Sequence, residues 1–154
     1  MAVREGSEPF HLWVVRVSWE DGVVHRVRFA RTGEGGPVPP LLRQYLQGNP
    51  VDLSVLQSPA TSGNGVRPAI YRAVREVGYG ETATYGEIAA RMGTSPRVVG
   101  QAMAHNPTPL VIPCHRITGA RGLGGFSPDI EIKERLLAME ARGMAGRRKN
   151  TPPG

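Results

Sequence analysis

Residues 84–117 read TYGEIAARMGTSPRVVGQAMAHNPTPLVIPCHRI. Thr84 stands three residues before Glu87, a pairing in which each side chain satisfies a backbone N–H at a helix start. Gly93 closes that helix. Pro96 suits the first turn of the next one, and Val98, Val99, Ala102 and Met103 give it an apolar side. Two short helices joined by a glycine-containing turn form a helix-turn-helix pattern. Arg97 opens the second helix, where it can meet a phosphate or a base edge. Gly100 and Ala104 leave the outward side of that helix almost bare, so it can press close into a groove.

Beyond the second helix, Asn106-Pro107-Thr108-Pro109-Leu110-Val111 cannot be helical, because each proline removes a donor and restricts the residue before it. The chain therefore runs as a stiff strap to Pro113-Cys114-His115-Arg116. Cys114 is the single cysteine of the chain. A thiol is a weak nucleophile near its free pKa of about 8.5, and neighbouring positive charge or an imidazole base moves it toward thiolate. His115 and Arg116 supply both kinds of neighbour. A lone cysteine is otherwise a small buried hydrophobe, so the pair alone does not establish a nucleophile.

Upstream of this stretch, Pro68 and the spacing of Ile70, Tyr71, Val74 and Val77 predict a further helix, stopped by Gly78 and Gly80. Residues 58–65, SPATSGNG, read as a linker. Before it, Trp13, Val15, Val17 and Trp19 alternate on one face of a strand, Asp21-Gly22 marks a turn, and Val23, His25, Val27 and Phe29 alternate on the returning strand. Pro40-Leu41-Leu42-Arg43-Gln44-Tyr45-Leu46 has helical spacing and ends at Gly48. Val51, Leu53 and Val55 suggest one more short strand. The first residues, through Glu8, read as a polar mobile end. His11 and His25 lack companions at metal-ligand spacing and read as ordinary strand or rim histidines. The organisation expected is α+β: a small N-terminal sheet-and-helix scaffold over 1–62, a mostly helical winged helix-turn-helix unit over 66–142, and a flexible basic tail over 143–154.

Downstream, residues 119–128 hold four glycines and form a loop whose backbone can approach a ligand. The Lys-Ser/Thr ending of a phosphate loop is absent. Residues 130–141 predict a helix with Ile132, Leu136, Leu137 and Met139 on its apolar side. Glu140 lies near the negative end of that helix, an unfavourable place for a carboxylate unless it reaches a cation.

The chain has 154 residues, formal net charge +6 and pI about 10.2. That balance suits a polyanionic partner, because cationic side chains that neutralise phosphates release counterions. One cysteine excludes an intramolecular disulfide and a Cys-rich zinc site. The sequence offers no apolar run of the ~20 residues that cross a bilayer and no secretory signal core, so a reducing, cytoplasmic setting is expected.

The strings SPRVVGQAMAHNP and NPTPLVIPCHRI, with the later LLAME around Glu140, resemble the O6-alkylguanine-DNA alkyltransferases over roughly residues 66–140. The resemblance implies a single-turnover repair protein acting on double-stranded DNA from the minor groove, as a monomer, with neither cofactor nor metal. An alkyl group on O6 of guanine, with O4 of thymine as a second substrate, would pass irreversibly to Cys114 after the nucleotide is flipped out of the stack. By resemblance, Glu140 orients His115, His115 draws the thiol proton through a water, Asn106 braces the turn, and Tyr85 donates to the guanine ring. Arg97 fills the gap left by the everted nucleotide, and Gly100 and Ala104 lie on the DNA side of its helix. Arg116 joins the DNA-binding set. The Ser127 N–H meets O6, and the Cys114 and Ile117 carbonyls accept from the exocyclic amine. Phe126 stands where some relatives have tyrosine, and Pro128 where some have glycine or a larger residue, so both bear on which alkyl groups fit. The competing readings are a non-catalytic protein that binds alkylated DNA, against which Cys114 argues, and a thiol hydrolase.

Overall fold

The computed structural model describes residues 2–150. Three antiparallel strands come first: β1 (Arg4–Phe10), β2 (Trp13–Glu20) and β3 (Val23–Ala30), in the order β1-β2-β3. The hairpin of β2 and β3 is as the alternation predicts, with Trp13, Val15, Val17 and Trp19 buried on one face. On β3 the inward set is Val24, Val27 and Phe29, and His25 is exposed. The register shifts at Ser18/Trp19, so that Ser18 pairs with Arg26 while Trp19 pairs with Val24. A bulge adds one residue to one strand and resets its alternation, which is why a strict period of two misplaces Val23 and His25.

The polar N-terminal segment is not loose. It forms β1 and pairs with β2 from Arg4↔Trp19 to Phe10↔Trp13. Its sequence conceals this because Gly6 carries no side chain: a Cβ there would stand 1.9 Å from the Pro37 carbonyl oxygen. The segment is a strand because the loop of residues 31–39 crosses it closely, a tertiary cause that no local pattern records. Met1 lies outside the described residues.

Helix α1 (Pro40–Leu46) buries Leu42, Tyr45 and Leu46. Val51, Leu53 and Val55 do not form a strand; Leu53–Val55 is a single 3-10 turn capped by the Asp52 side chain, which accepts from Ser54 N at 2.9 Å. Helix α2 (Val66–Val74) ends before Gly78, and Val77 is buried beyond it. A two-residue strand β4 (Ala83–Thr84) leads into α3 (Tyr85–Met92), where the Thr84–Glu87 capping box is present. Gly93 takes the left-handed conformation at φ 68° and turns the chain, as glycine does at no steric cost. Helix α4 (Pro96–Ala104) follows, capped by Ser95. The strap then reaches β5 (Ile117–Thr118), which pairs in parallel with β4.

Helix α5 (Ile130–Asn150) is 21 residues long, so the predicted tail is helical through residue 150. Gly143 allows close packing there: a Cβ on it would lie 2.1 Å from the Tyr79 hydroxyl. Arg147 lies over the Tyr79 ring at 5.3 Å and donates to the Pro50 carbonyl. Residues 151–154, the remainder of that expected tail, lie outside the described residues.

Two apolar clusters result. One joins the inner sheet face to α1 and takes in Leu110, Val111 and Ile132, Leu136 and Met139 of α5. The other holds α2, α3 and α4 together with Ile112 and Ile117. Helix α5 thus shares a core with the sheet, across the expected division at residue 62. The run Leu110-Val111-Ile112 enters both clusters, and Cys114 follows two residues later, itself buried. No described helix is long and apolar enough to cross a membrane.

Candidate active site

The strap delivers Cys114 by a chain of local bonds. Asn106 Nδ2 donates to the Ile112 carbonyl at 2.8 Å, and Asn106 Oδ1 accepts from Thr108 N at 3.0 Å. Thr108 is itself buried against Ser58, with 2.8 Å between their hydroxyl oxygens. Cys114–Arg116 is a 3-10 turn, and Cys114 N donates to Ile112 O at 2.7 Å. Asn106 thus ties the start of the strap to the residue two before Cys114.

Cys114 lines a cavity of about 570 Å³, within the size range of small-molecule sites. Tyr85, Gly125, Phe126, Ser127 and Pro128 line one part of it, and Gly100, Met103 and Ala104 of α4 another. Val27, Arg28 and Phe29 of the sheet complete it. Phe126 meets Phe29 edge-on, with ring centroids 5.8 Å apart. Arg97 is exposed in the first turn of α4. The structure thus brings Tyr85, Gly100, Ala104, Asn106, Phe126 and Ser127 to one cavity with Cys114.

Behind the thiol lies a buried charge network. His115 Nε2 stands 2.6 Å from Glu140 Oε2. Arg116 donates from Nε to Glu140 Oε1 at 2.9 Å and from Nη2 to Oε2 at 3.0 Å, and Gly80 N reaches Oε1 at 2.9 Å. Tyr45 adds a hydroxyl hydrogen bond to Oε2 at 2.5 Å. Burial alone would raise the Glu140 carboxyl, but His115 and the Arg116 guanidinium hold it well below the usual carboxylate range. Burial lowers the His115 imidazole, against the pull of Glu140. A neutral ring facing a carboxylate through Nε2 carries its proton there. Nδ1, which is buried and has no hydrogen-bond partner among the described residues, is then the basic nitrogen.

Arg116, expected among the DNA-binding residues, does not line the cavity. It is 8% exposed, and besides Glu140 it donates from Nη1 to the Val77 carbonyl at 2.9 Å. Its guanidinium is occupied by the buried Glu140 carboxylate, which stands in the middle of α5 and not at its negative end, because the helix runs on to residue 150.

Two participants were not visible in the sequence. Tyr45, from the N-terminal scaffold, reaches the Glu140 carboxylate. Lys133 is fully buried, and its Nζ donates to the Ile117 carbonyl at 2.6 Å. It lies 5.7 Å from the centre of the Tyr85 ring, with no carboxylate ion-paired to it among the described residues. Burial lowers the Lys133 ammonium, and the Cys114 sulfur counters that effect. Burial raises the Cys114 thiol, while Asn106, Lys133 and the backbone N–H groups of Cys114 and His115 pull it down. A lysine on the apolar side of α5 has no local signature. Only its placement one turn before Leu137 and two before Glu140 turns it into the site.

Residues 66–142 match the family described as 6-O-methylguanine DNA methyltransferase, DNA binding domain. The chain belongs to that methyltransferase family. Among curated relatives, a methylated-DNA–protein-cysteine methyltransferase of Sulfolobus acidocaldarius is 46% identical over 96 residues, 62% of this chain and 61% of that protein. The matched region thus spans less than two thirds of that methyltransferase. Among solved structures, the O6-methylguanine methyltransferase of Mycobacterium tuberculosis superposes with a TM-score of 0.73 at 28% identity, over 92% of this chain and 94% of that one. A second structure of the M. tuberculosis protein, in complex with DNA, gives a TM-score of 0.74 at 27% identity, over 90% and 93% of the two chains. These methyltransferase structures establish the α+β arrangement of sheet, helix-turn-helix and C-terminal helix for this chain.

Proposed function

We propose that the protein repairs DNA by transferring an alkyl group from O6 of guanine to Cys114, once per molecule. The observation that carries this reading is the placement of one thiol, backed by a His-Glu pair, in a cavity rimmed by the bare side of a helix-turn-helix helix. In the duplex O6 is sequestered, so the damaged nucleotide is flipped into the cavity. Arg97 enters the vacated stack, and α4 lies along the minor groove with Gly100 and Ala104 against it.

His115 Nδ1 accepts the thiol proton through a bridging water, and Glu140 stabilises the imidazolium that forms, as the acid of a catalytic triad does. The thiolate attacks the alkyl carbon. A C–S bond forms as the C–O6 bond breaks, and the electron pair leaves on guanine. Tyr85 donates a hydrogen bond to the departing base, the Ser127 N–H meets O6, and the Cys114 and Ile117 carbonyls accept from the exocyclic amine. Ile117 retains a second lone pair for this beside its bond from Lys133. The Lys133 ammonium favours thiolate over thiol and holds the loop between Ile117 and Tyr85. The thioether does not hydrolyse, so each molecule is consumed in one turnover; the protein acts as a monomer. Its setting is a reducing, cytoplasmic one.

The test is mass analysis after incubation with duplex containing O6-methylguanine. One methyl on the peptide of Cys114, with reaction ending at one equivalent, is the expected result. Cys114→Ala binds the duplex and acquires no methyl. Transfer retained in that variant would refute the mechanism. Binding without modification in the parent protein would favour a lesion-binding role.

A further inference from the structure

We propose that the outer face of the three-stranded sheet is a second DNA-contacting surface, which holds backbone phosphates of the strand carrying the damaged nucleotide. The proposal rests on the alkyltransferase reading above. It concerns the part of the chain that the sequence marks only as scaffold.

Arg16 on β2 and Arg26 and Arg28 on β3 project from this face and are exposed. Arg16 and Arg28 are direct cross-strand partners. Like charges in that position destabilise a sheet. Neither they nor Arg26 makes a hydrogen bond, ion pair or ring contact among the described residues. Together they line a polar groove of about 880 Å³. Glu5 and Glu34 border the same groove. Glu5 lies on β1 opposite Ser18, two strands away from Arg26, a separation of about 10 Å at normal strand spacing. The β3 side of the groove is therefore the cationic side.

That side opens onto the catalytic cavity. Arg28 lines both the groove and the cavity, where the bare residues Gly100 and Ala104 of α4 also stand. The relation is rigid, because Val27 N donates to the Pro107 carbonyl at 2.9 Å and so joins β3 to the strap that carries Cys114. A nucleotide that enters the cavity brings its flanking phosphodiesters to the mouth. Guanidinium groups bind such oxygens in bidentate fashion. Arg28 meets the phosphate nearest the flipped nucleotide, and Arg16 and Arg26 continue the track along the sheet.

The test compares duplex binding across a salt series, in a Cys114→Ala background, for the parent, Arg28→Ala and the triple Arg16→Ala/Arg26→Ala/Arg28→Ala variant. Each lost phosphate contact lowers the slope of log K against log salt by about 0.9. The expected loss of slope is about one unit for Arg28→Ala and two to three for the triple variant. With Cys114 restored, alkyl transfer from duplex falls at least tenfold more than transfer from O6-benzylguanine as the free base. Arg43→Ala on α1, across the sheet from this face, serves as the charge control. A triple variant with parental slope, or an equal loss for Arg43→Ala, overturns the proposal and leaves the repair reading standing. A parent protein that takes the alkyl group from neither duplex nor free base overturns both.

Discussion

Lys133 Nζ donates to the Ile117 carbonyl at 2.6 Å from a side chain with no solvent exposure. An ammonium in that position is costly unless its charge is used. The nearby groups that benefit are the Cys114 sulfur and the Tyr85 ring. Lys133→Met removes the charge and keeps the bulk. The expected outcome is alkyl transfer slowed by about one to two orders of magnitude, the range of a single preorganised electrostatic group. The pH profile of Cys114 alkylation by iodoacetamide should move upward, because a cation that favours thiolate is gone. Thermal stability should hold or rise, since a well-packed apolar replacement for a buried charge is often neutral or stabilising. Unchanged thiol titration in a folded Lys133→Met protein would reduce Lys133 to a structural residue.

Arg116 and Glu140 call for the opposite experiment. Arg116→Met leaves the Glu140 carboxylate buried without its permanent cation. Breaking a buried pair from one side costs about 3–5 kcal/mol. For a chain of this size each kcal/mol lowers Tm by about 2–4 °C. Calorimetry should therefore show a large fall in Tm. At a temperature where the variant is folded, the salt slope of DNA binding should equal that of the parent. A lower slope with an unaltered Tm would return Arg116 to the DNA surface.

This contrast shows where sequence reading works and where it stops. The capping box at Thr84, the left-handed stop at Gly93 and the braced strap from Asn106 to Cys114 are each set by residues close in the chain, so their chemistry is legible in order. The direction of Arg116 is not: its neighbour Cys114 suggests a role at the cavity, while its guanidinium turns to a carboxylate 24 positions away. Strand β1, the phase of β3 and the helical course of residues 143–150 fail for the same reason. Each is decided by a contact from elsewhere in the chain, namely Pro37 on Gly6, the Ser18/Trp19 register shift, and Tyr79 against Gly143.

Acidification gives a prediction with a definite sign. Glu140 is held below the usual carboxylate range, so between about pH 4.5 and its native titration the unfolded chain binds a proton that the native one refuses. His115 is lowered as well, so the same holds for its imidazole below about pH 6.5. In both cases the folded pKa is depressed. The stabilisation is present above the unfolded value and is lost as pH falls through the folded one. Urea midpoints should be level above about pH 7, decline below 6.5 and fall more steeply below 4.5. Glu140→Gln should be less stable throughout but show a flatter acid limb. A midpoint constant from pH 7 to 4 in the parent would contradict the described network.

Gly100 separates folding from DNA binding. It lies inside α4, where glycine costs a helix about 1 kcal/mol relative to alanine. An added Cβ would meet nothing within 4 Å, so the fold itself gives no reason for its presence. Gly100→Ala should therefore raise Tm by a few degrees. Its value would lie in the helix side that faces the proposed DNA groove, where a methyl obstructs close approach. Binding of the lesion duplex should weaken several-fold while transfer from the free base keeps its rate. A variant that is both more stable and equally tight on duplex would mean that α4 presents a different side to DNA, and the assignment of Gly100 and Ala104 to the contact would have to be withdrawn.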